Sequence, residues 1–261
     1  MRLRAKRNIF ETMDDSQRLP RQRCRLLEQA ATDFFFLQNR GYPRASALDW
    51  VGNRYALTQR ERHLLHRGVF AQGDALRRRS KRCRGTDWRQ GLLVVDGHNV
   101  QITVESAILG RPLLLANDGA LRDVAGQSAQ FRFTEASEIA LDMIFRVMEE
   151  FRPERTLFLF DAPMSHSGLL ASRYRQRLRA LGLAGDARAV PVPEREFPYS
   201  ECVVSSSDSA VLEQARQWLD LARWALDSAG ALQLMLDFSS LVSTQGVPET
   251  RLRFFPPLLD F

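Results

Sequence analysis

Three apolar runs in this chain each end on an aspartate, and this repeated pattern constrains the fold more than any bulk property does. Leu92-Leu93-Val94-Val95 runs into Asp96-Gly97-His98-Asn99, Thr156-Leu157-Phe158-Leu159-Phe160 into Asp161, and Cys202-Val203-Val204-Ser205-Ser206-Ser207 into Asp208. A short, unbroken apolar run predicts a strand buried on both faces, as parallel sheets require. The acid then falls at the strand's carboxyl end, where open α/β sheets form their ligand crevices. If the strands are neighbours, spaced ~4.8 Å apart, the carboxylates converge. Two such charges ~4 Å apart repel by roughly 4 kcal/mol at an effective dielectric of 20. Protons or cations must relieve that, and an all-oxygen set suits Mg2+ or Mn2+ rather than zinc.

Helical patterns separate the runs. Thr134 opens a helix to Glu150 that Pro153 ends, Leu169–Leu181 is closed by Gly182, and Ser209–Ala229 by Gly230. Further strands are expected at Leu113–Ala116, Ala187–Val192 and Leu232–Leu236, with Asn117-Asp118-Gly119 as a turn. This alternation implies a mostly parallel sheet with right-handed crossovers. Before it, residues 24–87 read as a small basic all-helical domain. Leu26, Leu27, Ala30, Ala31, Phe34 and Phe35 mark one amphipathic helix that Gly41 and Pro43 stop. Ser46 is a cap for the next, and Thr58 with Glu61 forms a capping box for a third. The basic run 77–84 reads as a linker or a solvated helix end. Residues 1–23 form a basic mobile arm, 88–240 the α/β domain, and 241–261 an irregular Pro-containing tail.

Composition is that of a globular chain, with 44% hydrophobic and 26% charged residues over 261 positions. The net charge of +6 hides an asymmetry: residues 1–90 hold 21 Lys/Arg against 9 Asp/Glu, the remainder 16 against 22. Such a split points to nucleic acid or an acidic membrane surface as partner, with a solvated arginine-rich face as the plain alternative; beside a candidate metal site, nucleic acid is the reading taken. Arg54, Arg60, Arg62 and Arg67 are the candidate phosphate contacts, with Trp50 and Tyr55 read either as stacking groups or as core. The 3 cysteines offer neither a metal spacing nor an even disulfide set, which fits a reducing cytoplasm. No apolar run is long enough to span a membrane.

Beside the three aspartates, Asn99 is a candidate to orient Asp96 or a water, and Ser206 and Ser207 offer supporting hydroxyls. Each lone acid can equally be a turn residue or a helix cap, above all Asp208 before Ser209-Ala210-Val211. For a fourth carboxylate Glu138 is chosen from the stripe Glu135, Glu138, Asp142, with Glu105 and Asp186 as outside candidates.

Asp96-Gly97-His98-Asn99, Phe160-Asp161-Ala162 and Ser206-Ser207-Asp208 together resemble the PIN/NYN nuclease superfamily, in particular the bacterial NYN branch related to the YacP proteins. There, successive strands end in Asp-Gly-Tyr-Asn, Phe-Asp-Ala and Thr-Ser-Asp. The resemblance covers residues 90–240. The whole chain resembles a prokaryotic family known only as a domain of unknown function, in which a helical part with a segment like Val51-Gly52-Asn53-Arg54-Tyr55 comes first. The resemblance implies a five-stranded parallel PIN/NYN-like (Rossmannoid) sheet, Mg2+ or Mn2+, and hydrolysis of RNA phosphodiesters. It makes Asp96, Asp161 and Asp208 metal ligands, with Asn99 supporting Asp96. Many relatives carry a second acid two residues after the last aspartate, where this chain has Ala210. That departure keeps an alternative open: a non-catalytic RNA- or tRNA-binding protein on a degenerate nuclease fold, or a protein-interaction scaffold.

Overall fold

The computed structural model describes residues 20–124, 132–232 and 236–242, which divide into two compact units. One unit comprises residues 81–110 and 132–232, the other 20–80, 111–124 and 236–242.

The second unit begins with α1 (Arg21–Asn39), α2 (Arg44–Arg54), α3 (Gln59–Gly68) and α4 (Gln72–Ser80). α3 starts with the expected capping box: Thr58 Oγ accepts the Glu61 N–H at 3.3 Å, and the Glu61 carboxylate accepts the Thr58 N–H at 2.8 Å. α2 begins directly after Pro43, its N-cap, rather than at a Ser46 cap. The unit is not all helical. It takes in the hairpin β2 (Leu113–Leu115) and β3 (Leu121–Asp123), joined through Asn117-Asp118-Gly119, and the short β8 (Leu236–Asp237), in the order β3-β2-β8. Leu27, Phe34, Leu64, Leu65, Leu114 and Phe238 are fully buried in its core. Residues 111–124 and 236–240, which the sequence reading kept with the α/β domain, and 241–242, which it gave to the tail, therefore complete the helical unit.

The basic run is no solvated end. Arg78 is buried and pairs with the buried Asp118 at 3.2 Å, and Arg79 donates to the Asn117 and Ser239 carbonyls. A partner forty residues away is invisible to a local reading of charge.

The other unit holds β1 (Leu92–Asp96), α5 (Gly97–Ile108), α6 (Glu135–Phe151), β4 (Arg155–Asp161), α7 (Ser167–Ala180), β5 (Gly185–Val190), β6 (Cys202–Ser205), α8 (Ser209–Gln214), β7 (Gln217–Trp218) and α9 (Leu221–Ser228). Its five strands are all parallel, in the order β5-β4-β1-β6-β7, so the sheet is α/β and flanked by helices. α7 packs on β4 and β5, while α5, α6 and α9 pack on one another. Phe145, Phe158, Phe160 and Tyr174 form one ring cluster, with centroids 4.8–5.8 Å apart.

The single helix expected over 209–229 is instead two helices with β7 between them. Trp218 is fully buried, and its N–H donates to the Lys81 carbonyl at 3.0 Å while its own carbonyl accepts the Cys83 N–H at 2.8 Å. Those distant bonds hold the backbone extended where the sequence spacing continues as a helix. The arm to residue 19, the tail from 243 and most of the strand placed at Leu232–Leu236 lie outside the described residues. No helix among the described residues is long and apolar enough to cross a membrane.

Candidate functional site: an acidic edge at the switch point of the sheet

The three strands whose apolar runs lead to an aspartate are neighbours: β1 and β4 end on Asp96 and Asp161, and Asp208 follows β6 by three residues. β1 is central and pairs with β4 on one side and β6 on the other, with Asp96 opposite Leu159 and Val95 opposite Ser205. From β1 the chain order runs outward to β4 and β5, and from β6 outward to β7, so the order reverses between β1 and β6. Open α/β sheets bind ligands in the crevice at that point, outside the carboxyl ends of the strands. Asp96 and Asp208 flank it directly and Asp161 ends the next strand along.

Asp96 is 6% exposed and caps α5. Its Oδ1 accepts the Asn99 N–H at 3.2 Å and its Oδ2 the Ser206 hydroxyl at 3.0 Å. Burial pushes its carboxyl up to about 7; the two hydrogen bonds oppose this, and the negative charges of Glu194 and Asp208 reinforce it. Asn99 reaches Asp96 through its backbone rather than its amide. The amide oxygen instead accepts the Ser207 N–H at 2.8 Å, which ties the start of α5 to the loop after β6. Ser206 Oγ also accepts the Asp208 N–H at 3.1 Å. Asn99, Asp96, Ser206, Ser207 and Asp208 thus form one hydrogen-bonded seam across the switch point.

Asp208 is exposed and caps α8, accepting the N–H groups of Ala210 and Val211 at 2.8 and 3.1 Å. Asp161 is half-buried, and burial raises its carboxyl pKa. Its backbone N–H donates to His98 Nδ1 at 3.0 Å, which leaves the imidazole proton on Nε2. Burial lowers the His98 pKa to about 4, so the ring is neutral. Gly97 is required by close packing, since a Cβ there would lie 2.4 Å from the Phe160 ring.

Two residues absent from the sequence reading join this edge. Glu194 lies in the turn Pro193–Glu196 after β5, and Tyr199 Oη donates to its carbonyl at 3.1 Å. Burial pushes Tyr199 up to about 12, with Glu194, Asp208, Cys202 and Asp96 adding to the shift, which places its phenol in the field of the same acids. Pro191, Pro193 and Pro198 mark this loop in the sequence, and its place after β5 puts it at the carboxyl edge.

Other candidates fall elsewhere. Glu138 faces Arg173 at 3.8 Å between α6 and α7, and Asp142 pairs with Arg177 beside it. Glu105 accepts from Gln101 at 2.7 Å in the interior, and Asp186 sits near the amino end of β5. Asp118 and Asp123 belong to the other unit. The donors at the edge are all oxygen, which matches a hard divalent cation in kind. Among the described residues, however, no three His, Cys, Asp or Glu side chains stand close enough together to hold a metal ion.

The four arginines singled out for RNA do not form one patch. Arg62 turns inward and donates to the Leu57 and Asp49 carbonyls and, at 2.8 Å, to Asn53 Oδ1. Its guanidinium fills the space over Gly52, where a Cβ would lie 1.9 Å away. Arg67 pairs with Asp123 at 3.3 Å. Arg60 is exposed on α3, and Arg54, 71% exposed on α2, lies 3.6 Å from Asp33 and over the Tyr55 ring.

The chain is similar to Uncharacterized protein MJ0935 of Methanocaldococcus jannaschii, at 28% identity over 203 residues that make up 77% of this chain and 97% of that protein. No solved structure matches. Residues 26–81 match the family described as Protein of unknown function (DUF434). Residues 86–224, more than half of the chain and all of the acidic edge, match the Domain of unknown function (DUF5616), and the chain belongs to that family.

Proposed function

We propose that the acidic edge is the site of a Mg2+- or Mn2+-dependent ribonuclease, with the arginine-rich unit contributing phosphate contacts to RNA. One observation carries this reading: on three adjacent parallel strands, β4 ends on Asp161, β1 ends on Asp96, and Asp208 follows the end of β6 by three residues, around the switch point. The PIN/NYN-like assignment rests on the same residues and belongs to this proposal. Asp96, Asp161 and Asp208 are the acids that would hold the cation, although as they stand in this structure they are not close enough to do so together. When bound, it would polarise a phosphoryl oxygen and make a water acidic enough to attack phosphorus. Ser206 and the Asn99 backbone fix both oxygens of Asp96, and the Asn99 amide fixes the Ser207 backbone beside Asp208. His98, neutral and anchored to the Asp161 backbone, holds the ends of β1 and β4 in register.

A second reading is a non-catalytic RNA-binding protein on the same scaffold. The capping roles of Asp96 and Asp208 and the absence of a three-acid cluster among the described residues favour it. Cleavage of a labelled RNA in Mn2+ separates the two. Asp96→Asn, which keeps the shape of the side chain, is expected to abolish cleavage and leave RNA affinity nearly intact. Equal cleavage by variant and wild type would overturn the ribonuclease reading.

A further inference from the structure

Seven large hydrophobic residues are exposed among the described residues, and the three aromatic ones, Phe36, Tyr42 and Trp50, all fall between positions 36 and 50. None is needed by the core of its unit, which Leu27, Phe34, Leu64 and Leu65 fill. Trp50 is 52% and Tyr42 45% exposed, with ring centroids 5.4 Å apart and planes at 75°. An edge-to-face pair uses one ring's face and the other's edge, so ring surface remains open to solvent.

The corner that carries them is well fixed. Gly41 adopts φ +82, a left-handed conformation, and its N–H donates to the Gln38 carbonyl at 3.1 Å. The Tyr42 N–H donates to the Leu37 carbonyl at 3.2 Å, Pro43 follows, and Trp50 stands in the middle of α2.

Arginines flank the rings, together with two acids: Asp49, 74% exposed beside Trp50, and Asp33, 3.6 Å from Arg54. The Arg40 guanidinium lies 5.0 Å from the Phe36 ring centroid. Arg54 follows Trp50 by one helical turn on the same face of α2. Residues 20–80 hold 12 arginines and no lysine against 5 acids. Planar guanidinium groups serve both phosphate and base faces. A duplex keeps its bases stacked out of reach, and a bare polyanion needs no aromatic rings. Unpaired bases on a phosphate backbone match both features.

The geometry points to a stacking platform at Tyr42 and Trp50, rimmed by Arg40 and Arg54, that takes single-stranded RNA. It rests on the nucleic-acid part of the proposed function and not on cleavage.

The test titrates the full chain with a short fluorescein-labelled oligouridine and with a blunt RNA duplex of the same length. Of the 4 tryptophans, Trp88 and Trp218 are buried and Trp224 is half-buried, so Trp50 dominates any quenching by stacked bases. Trp50→Leu and Tyr42→Leu are each expected to weaken oligouridine binding roughly tenfold, leaving its salt dependence unchanged. Quenching should disappear in Trp50→Leu, and duplex binding should be weaker and indifferent to both substitutions. Unchanged oligouridine affinity in Trp50→Leu, or failure of the wild type to bind oligouridine, overturns the platform. So does a dimer in sedimentation that Trp50→Leu dissociates with RNA affinity intact, which would make the patch a self-association face. A cleavage assay in Mn2+ on the same proteins keeps the two readings apart: binding and quenching without any Mn2+-dependent cleavage in the wild type defeats only the ribonuclease, whereas wild-type cleavage with an indifferent Trp50→Leu defeats only the platform.

Discussion

Ser206 Oγ donates to Asp96 Oδ2 at 3.0 Å while accepting the Asp208 N–H at 3.1 Å, so one hydroxyl joins the acid that ends β1 to the acid that follows β6. Both bonds lie at a site where water is largely excluded, since Ser206 is 4% exposed. Ser206→Ala removes them together and leaves a buried carboxylate oxygen without its donor. The cost should be about 1–3 kcal/mol, read as a lower urea midpoint with an unchanged slope. An unchanged midpoint would show that the seam contributes nothing to holding β1 against β6.

Gly97→Ala tests the packing beneath that seam. The new Cβ would come within 2.4 Å of the Phe160 ring, which is fully buried and edge-to-face with both His98 and Tyr174. The ring cannot retreat without disturbing those contacts, so the substitution should cost about 1–3 kcal/mol. Phe160→Leu in the same chain makes room. The double variant is expected to lose less stability in thermal unfolding than the sum of the two single ones. Strict additivity would mean that Gly97 is kept for another reason.

How much of this was readable from sequence follows from how local each signal is. The β1, β4 and β6 strands were legible because an apolar run leading to an acid is a local pattern, whereas their adjacency, only a condition in the sequence, is set by the long-range order of the sheet. The start of α5 at Gly97 was not, because Gly-His-Asn reads as a turn and Val100, Ile102 and Val104 alternate like a strand. Nor was β7: Trp218 is held extended by backbone bonds to Lys81 and Cys83, far away in sequence. Glu194 and Tyr199 could be placed at the edge only once the end of β5 was known. Glu138 had the right spacing on α6, but that face meets Arg173 on α7.

The arginines of the helical unit should separate into two classes. Arg62 is a strut between α2 and α3, whereas Arg54 presents its charge to solvent. Arg62→Ala should lower the unfolding temperature and reduce RNA binding only as far as it unfolds the chain. Arg54→Ala should leave the unfolding temperature unchanged, weaken RNA binding and reduce the salt dependence of the binding constant by about one phosphate contact. Comparing melting curves with salt-titrated binding checks both. Loss of stability in Arg54→Ala with normal RNA affinity would reverse the assignment.

Asp118 sets the response of the helical unit to acid. It is fully buried and accepts from both guanidinium nitrogens of Arg122 at 2.8 Å and from Arg78 at 3.2 Å. Burial alone would raise its pKa, but the Arg122 and Arg78 charges and the Ala120 N–H outweigh it, and the net shift is downward. The guanidiniums of Arg44, Arg78 and Arg122 all lie 4.5–5.0 Å from the Phe70 ring centroid, and burial together with its two neighbours lowers the Arg44 pKa to about 10. A carboxylate whose folded pKa is depressed contributes stability above its ordinary value of 3.8 and loses it as pH falls through the lower folded value. Asp118→Asn removes the one buried negative charge among these cations and should cost about 3–5 kcal/mol at neutral pH. In urea titrations across pH, the gap between wild type and Asp118→Asn should stay open down to 3.8 and close below it, because the wild type then protonates the group that the variant has already neutralised. A gap independent of pH would show that Asp118 acts by shape and hydrogen bonding rather than by charge.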